Sequence, residues 1–272
     1  METYRMVSKV FLGKTLERDR QTRLVRYLGP ETEVDTAPYI LMESIHLETA
    51  TDFEDGFPWR AYPGIEAIWY FHAAPRDPRH AVTMIAEPHW IWGANGEVRE
   101  EIPDLGGPEI GTQLWIGLPP EMAAKTGEIP VTGPAPVVNP AEGVAVRVIG
   151  GVYNDAVGGL GAGGESGLLY LDVYLAPHAE WTLKPANAQG TLVAFLTAGE
   201  VFFGPDRDEV FEEERAVLFS DGDILDVKAT HRGGRFLLLF APSKTAPVLD
   251  ISQVQKSESD WIELLHKQED DV

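Results

Sequence analysis

Apolar and polar residues alternate with a period of two along most of this chain, the pattern of β-strands whose successive side chains point to opposite faces. The alternation is clearest from Phe57 to Tyr70, FPWRAYPGIEAIWY, where Tyr62, Glu66, Ile68 and Tyr70, followed by His72, fall on one face. Arg60, Tyr62, Glu66 and His72 set among apolar residues predict a strand that lines a pocket; a half-exposed edge strand is the alternative reading.

Taken in order, Ser8 to Arg26 reads as an entry strand with a charged connection, and Tyr39 to Met42 as a short buried strand. Strands follow at Ala81 to Ile85, His89 to Trp92, Glu97 to Ile102 and Gly111 to Pro119. Six prolines between Pro119 and Pro140 predict an irregular connection, which sets a domain boundary near residue 135. The second half repeats the style of the first. Gly143 to Ile149, then LLYLDVYL, TLVAFLTAGEVFFG, ERAVLFSDGDILDV and GRFLLLFAP, read as strands separated by turn clusters. Ser257 can cap a helix from Glu258 to Lys267 that presents Trp261, Leu264 and Leu265 on one face. The expected fold is all-β, with two β-barrels in tandem over residues 1–135 and 136–250, and a short C-terminal helix with an acidic tail over 251–272.

Composition narrows the partners. Asp plus Glu number 43 against 22 Lys plus Arg, a formal net charge of −21. Such a chain repels phosphate backbones and anionic bilayers, so direct nucleic-acid binding and membrane association are not expected. With no cysteine, disulfides and thiolate chemistry are excluded. No signal-like or membrane-spanning apolar run is present, which makes the cytoplasm the expected compartment. The glycine-rich run GGLGAGG lacks the lysine and the strand-to-helix setting of a phosphate loop and reads as a surface loop. No G-x-S-x-G element supports a hydrolase.

The GEV-x-x-G turn followed by DGD in the second half resembles a double cupin. The ordered blocks VRYLG, APYILMESI, FPWRAYPGIEAIWY, HWIWGANGEVREEIP and GTQLWIGLP, continued by VAVRVIGG, LLYLDVYL and GRFLLLF, resemble the pirin family over residues 20 to 248. That resemblance implies a bicupin with one iron or similar ion in the first barrel, held by three histidines and a glutamate. It also implies dioxygenase action on quercetin-like flavonols, or redox-sensitive partner binding in regulation.

On this chain the three histidine positions fall on Arg60, Tyr62 and Arg99, and only Glu101 remains. A guanidinium has no lone pair to give and stays charged, so Arg60 and Arg99 cannot ligate a cation. The two arginines supply the charge of the missing divalent ion, and Glu66 and Glu101 are their expected partners. No metal cofactor and no quercetinase-like activity are therefore expected, and the pocket is read as a small-molecule or protein-binding site. Trp59 and Trp92 beside the arginines would suit a flat aromatic or anionic ligand. Two alternatives stand beside this reading. One is an oxidoreductase with a metal site rearranged around His72, His46, His80 and His89, or with Tyr62 and Glu66 as acid and base. The other is a first barrel in which Arg60, Tyr62 and Arg99 simply fill the space.

Overall fold

The computed structural model describes residues 2–18, 22–47, 65–73, 89–94, 97–100, 109–117, 135–159 and 168–242. In the first half the strands are β1 (Val7–Leu12), β2 (Lys14–Arg18), β3 (Thr22–Leu28), β4 (Tyr39–Leu47), β5 (Ile65–Ala73), β6 (His89–Ala94), β7 (Glu97–Glu100) and β8 (Glu109–Gly117). Seven of them form one antiparallel sheet in the order β2-β3-β4-β8-β5-β6-β7. The helix found among the described residues is a single turn, α1 (Glu33–Thr36), between β3 and β4. The expected strand at Ala81–Ile85 and the C-terminal helix lie outside the described residues.

The second half supplies β9 (Val137–Ala141), β10 (Val144–Gly150), β11 (Val152–Tyr153), β12 (Ala156–Val157), β13 (Leu169–Leu175), β14 (Glu180–Leu183), β15 (Thr191–Phe203), β16 (Val210–Glu212), β17 (Arg215–Phe219) and β18 (Leu225–Ala241). The run TLVAFLTAGEVFFG, read as one strand, is β15, and it continues through the glycine of GEV-x-x-G; β18 runs on where the pattern predicts a turn between ILDV and GRFLLLF. Gly199 and Gly234 face each other in the ladder, beside shifts in register. A Cβ on Gly199 would collide with the Gly233 carbonyl, and one on Gly234 with the Val201 side chain, so glycine there lets two strands bend without ending. The outer half of β15 carries β16, and the outer half of β18 carries β14. The barrel closes on a filled core that includes Val146, Val173, Trp181, Leu196, Val201, Phe203, Phe219, Val227 and Phe236.

One strand departs from the division at residue 135. β1 pairs with β17 at the edge of the second sheet, and after Gly13 alone the chain enters β2 of the first. A Cβ on Gly13 would press into Val25 and Tyr27, so glycine permits this close passage. Arg5, just ahead of β1, is fully buried and donates to the carbonyls of Gly190, Ser220, Asn187 and Ala188. The N-terminal arm thereby ties the first half to the second. A shared apolar layer joins the sheets, with Val25, Tyr27, Met42, Ile68, Tyr70 and Leu114 from one meeting Ile149, Tyr170, Val193, Phe195, Leu237 and Leu239 from the other.

Candidate functional site

β5 keeps the predicted alternation. Ile65 and Ala67 pack with Leu41 and Trp115 on one face, while Ile68 and Tyr70 pack into the layer between the sheets. The face expected to line a pocket is therefore, at Ile68 and Tyr70, closed against the second sheet. Glu66 has the parity of Ile68, stands opposite Ile116 and Ala94 in the ladder, and is buried. An apolar sheet was available to cover this face, and packing against it removes more apolar area from water than an open pocket would.

At the centre of that layer lies a buried polar cluster. The Tyr70 phenol donates to Asp172 Oδ2 at 2.6 Å. Arg235 grips the same carboxylate with both arms of its fork, Nε to Oδ1 at 2.8 Å and Nη2 to Oδ2 at 2.6 Å. Arg147 on β10 stands directly opposite Asp172 on β13. Asp172 is wholly buried, and Arg147 and Arg235 are nearly so. Burial, then the Asp172 charge, hold the Tyr70 phenol well above its ordinary value, with Arg235 opposing. For Arg235 burial acts to lower the value, but the carboxylate outweighs it and the guanidinium stays charged. With Glu66, the layer holds two carboxylates and two guanidiniums among its buried residues, a balanced set that suits a low-dielectric interior.

Sequence reasoning passed over Asp172, Arg147 and Arg235. The signal was there: Asp172 and Arg147 are the lone charges of the strands LYLDVYL and VAVRVIG, and Arg235 is the lone charge of the apolar run RFLLLFA that ends β18. A charge at mid-strand among buried positions requires a partner, and three such strands side by side supply one another.

Of the residues predicted for the ligand pocket, Trp59, Arg60, Tyr62 and Glu101 lie outside the described residues. Arg99 on β7 is opposite Trp92 on β6, and Trp92 is opposite Ile68 on β5, so the ladder sets Arg99 two strands from the layer. His72 on β5 and His46 on β4 flank the same residue of β8, Ile110. His89 is opposite Phe71, and His80 lies outside the described residues. Among the described residues no group of three or more His, Asp or Glu side chains is placed to hold a metal ion. On the opposite face of the sheet, Arg26 donates through Nε to Glu43 at 2.7 Å, and the Gln113 amide bridges Glu43 to the Trp115 indole N–H.

Comparison with known proteins places this architecture. A pirin-like protein of Caulobacter vibrioides is 28% identical over 244 residues, covering 86% of either chain. Human pirin is 24% identical over 258 residues, with 84% of this chain and 79% of that one covered. The chain is similar to pirins over most of its length. No family model matches it. Among solved structures, GK1651 from Geobacillus kaustophilus superimposes with a TM-score of 0.67 at 18% identity, over 91% of this chain and all (100%) of that one. A quercetin 2,3-dioxygenase from Acinetobacter baumannii does so with a TM-score of 0.63 at 14% identity, over 96% and 98%. At these identities the likeness speaks for the fold, two cupin barrels in tandem. No helix among the described residues is long and apolar enough to cross a membrane.

Proposed function

We propose that this pirin-family bicupin has exchanged the family's metal centre for a charged pocket, and that it serves in the cytoplasm as a binding module for a small molecule or a protein partner. The observation that carries the reading is the chemistry of the donor set. At the positions that the family resemblance assigns to three histidines stand Arg60, Tyr62 and Arg99, with Glu101 kept. Iron does not fit that set: two of its four members carry fixed positive charge and no lone pair, and a neutral phenol is a poor ligand. Two guanidiniums, a phenol and a carboxylate instead suit an anionic or flat aromatic ligand, held by paired hydrogen bonds and stacking.

A second reading keeps an enzyme. His46 and His72 flank Ile110 from neighbouring strands, and one structural neighbour is a quercetin 2,3-dioxygenase by name, which favours an oxidoreductase with a displaced metal. Elemental analysis of untagged protein, before and after loading with iron, nickel, copper, zinc and manganese, separates the two. The binding-module reading expects no stoichiometric metal in the native chain and a gain of nickel in the Arg60→His/Tyr62→His/Arg99→His variant, which restores the family's donor set. One metal per native chain, together with flavonol turnover lost in Glu101→Ala, would establish the enzyme instead.

A further inference from the structure

We propose that the place beside Trp181 in the second barrel is a binding site for a small phenol, occupied in this structure by the chain's own Tyr153. Trp181 on β14 is buried, and its indole N–H donates to the Tyr153 hydroxyl at 2.9 Å. The two rings are 6.2 Å apart and tilted by 59°. Behind Trp181 an aromatic wall continues through Phe236 at 6.0 Å and on to Phe203. A buried indole N–H needs an acceptor. Here that acceptor is a phenol.

The phenol is carried by an element that the barrel does not own. β11 and β12 pair only with each other, as a two-stranded sheet outside the nine-stranded one. An isolated hairpin of this size is marginal by itself. Its turn residues Asn154 and Asp155 have φ of 46° and 65°, the left-handed pair of a tight hairpin turn. Its base is Gly151, with φ of 82°, whose carbonyl accepts from the Gly158 N–H at 2.8 Å. Val152 and Val157 face each other across the hairpin and are exposed, at 56% and 61%. Among the described residues the one side-chain hydrogen bond from hairpin to barrel is Trp181 to Tyr153. Tyr153 itself is buried in the core of the barrel, and Ala156 packs against that core.

Swinging the hairpin on its glycine base withdraws one phenol ring. What remains is a slot with an indole N–H at its side and aromatic walls. The ligand that refills it has a ring of the same size and one oxygen able to accept a hydrogen bond. Burial raises the Tyr153 phenol above its ordinary value, so the slot favours the neutral form of such a ligand. The site lies in the opposite half of the chain from the charged pocket and stands whatever that pocket holds.

The probes are p-cresol, which is the tyrosine side chain alone, and toluene, which lacks the hydroxyl. Removing the resident ring frees the slot, so Tyr153→Ala binds p-cresol at least about tenfold more tightly than the native chain by calorimetry. It prefers p-cresol to toluene by about fivefold, the worth of one net hydrogen bond. Trp181→Phe in the Tyr153→Ala background removes that preference. In the unaltered protein, p-cresol displaces the Trp181 indole N–H resonance and toluene does not, which keeps the test open if Tyr153→Ala misfolds. No tighter binding by folded Tyr153→Ala, equal affinity for the two probes, or an unmoved indole resonance would overturn the proposal.

Discussion

Replacing Asp172 by alanine tests whether the polar cluster between the sheets acts as a unit. Asp172 has no exposed surface, and the Arg235 side chain retains 8% of its own. Without the carboxylate, a guanidinium that accepted burial only in exchange for two hydrogen bonds is left uncompensated, a loss of about 3–5 kcal/mol. Tyr70→Phe is milder, because Asp172 keeps both bonds from Arg235 and loses one donor, at about 1.5–3 kcal/mol. The two losses overlap, since the Tyr70 bond ends on Asp172. The double variant is therefore expected near Asp172→Ala alone, with a coupling of about 1–3 kcal/mol. Urea unfolding followed by circular dichroism gives each value, and an unchanged slope confirms that the unfolded states are comparable. The control is Arg23→Ala. Arg23 and Glu214 also join the two halves through two hydrogen bonds, of 2.6 and 3.0 Å, but their side chains are 36% and 42% exposed. That pair is worth about 0–1 kcal/mol. Strict additivity of Tyr70→Phe and Asp172→Ala, or a cost for Arg23→Ala equal to that of Asp172→Ala, would refute the argument that burial makes the cluster cooperative.

Two further outcomes follow from the same geometry. Burial raises the phenols of Tyr27, to about 12, and of Tyr39, Tyr70 and Tyr170 well above the ordinary value. A raised folded-state value leaves stability intact below the unfolded phenol value near 10. Stability is then lost as pH climbs past it, by about 1.4 kcal/mol per pH unit for each phenol that stays protonated. Melts between pH about 9 and about 11 should fall steeply, with one phenol less of slope in Tyr70→Phe, and a flat profile would contradict the assignment. Arg5→Met keeps the length of the buried side chain but withdraws donors from four carbonyls, and is expected to cost about 1–3 kcal/mol or more in urea unfolding. An unchanged midpoint would mean that the arm adds nothing to the second barrel.

The sequence by itself determined the kind of fold. Period-two patterning marked β4, β6, β7, β8, β10 and β13 near their observed places, and the order of blocks pointed to the pirins the chain is similar to. It also carried the parity of β5, since Ile68 and Tyr70 do share a face. The reading of Arg60, Tyr62, Arg99 and Glu101 as a charged pocket rests on residue types alone, and Arg60, Tyr62 and Glu101 lie outside the described residues. Tertiary structure alone decided what each face meets. Local pattern says that a strand has two unlike faces, but not which partner covers them, so the face of Tyr70 read as a pocket wall and proved to be packed against Asp172. The same limit hid the crossing of β1 to β17, more than 200 residues away in the chain, and the continuation of β18 through glycines that resemble a turn. Pairing is set by burial and hydrogen bonding summed over distant segments, and a single strand carries only its own half of that sum.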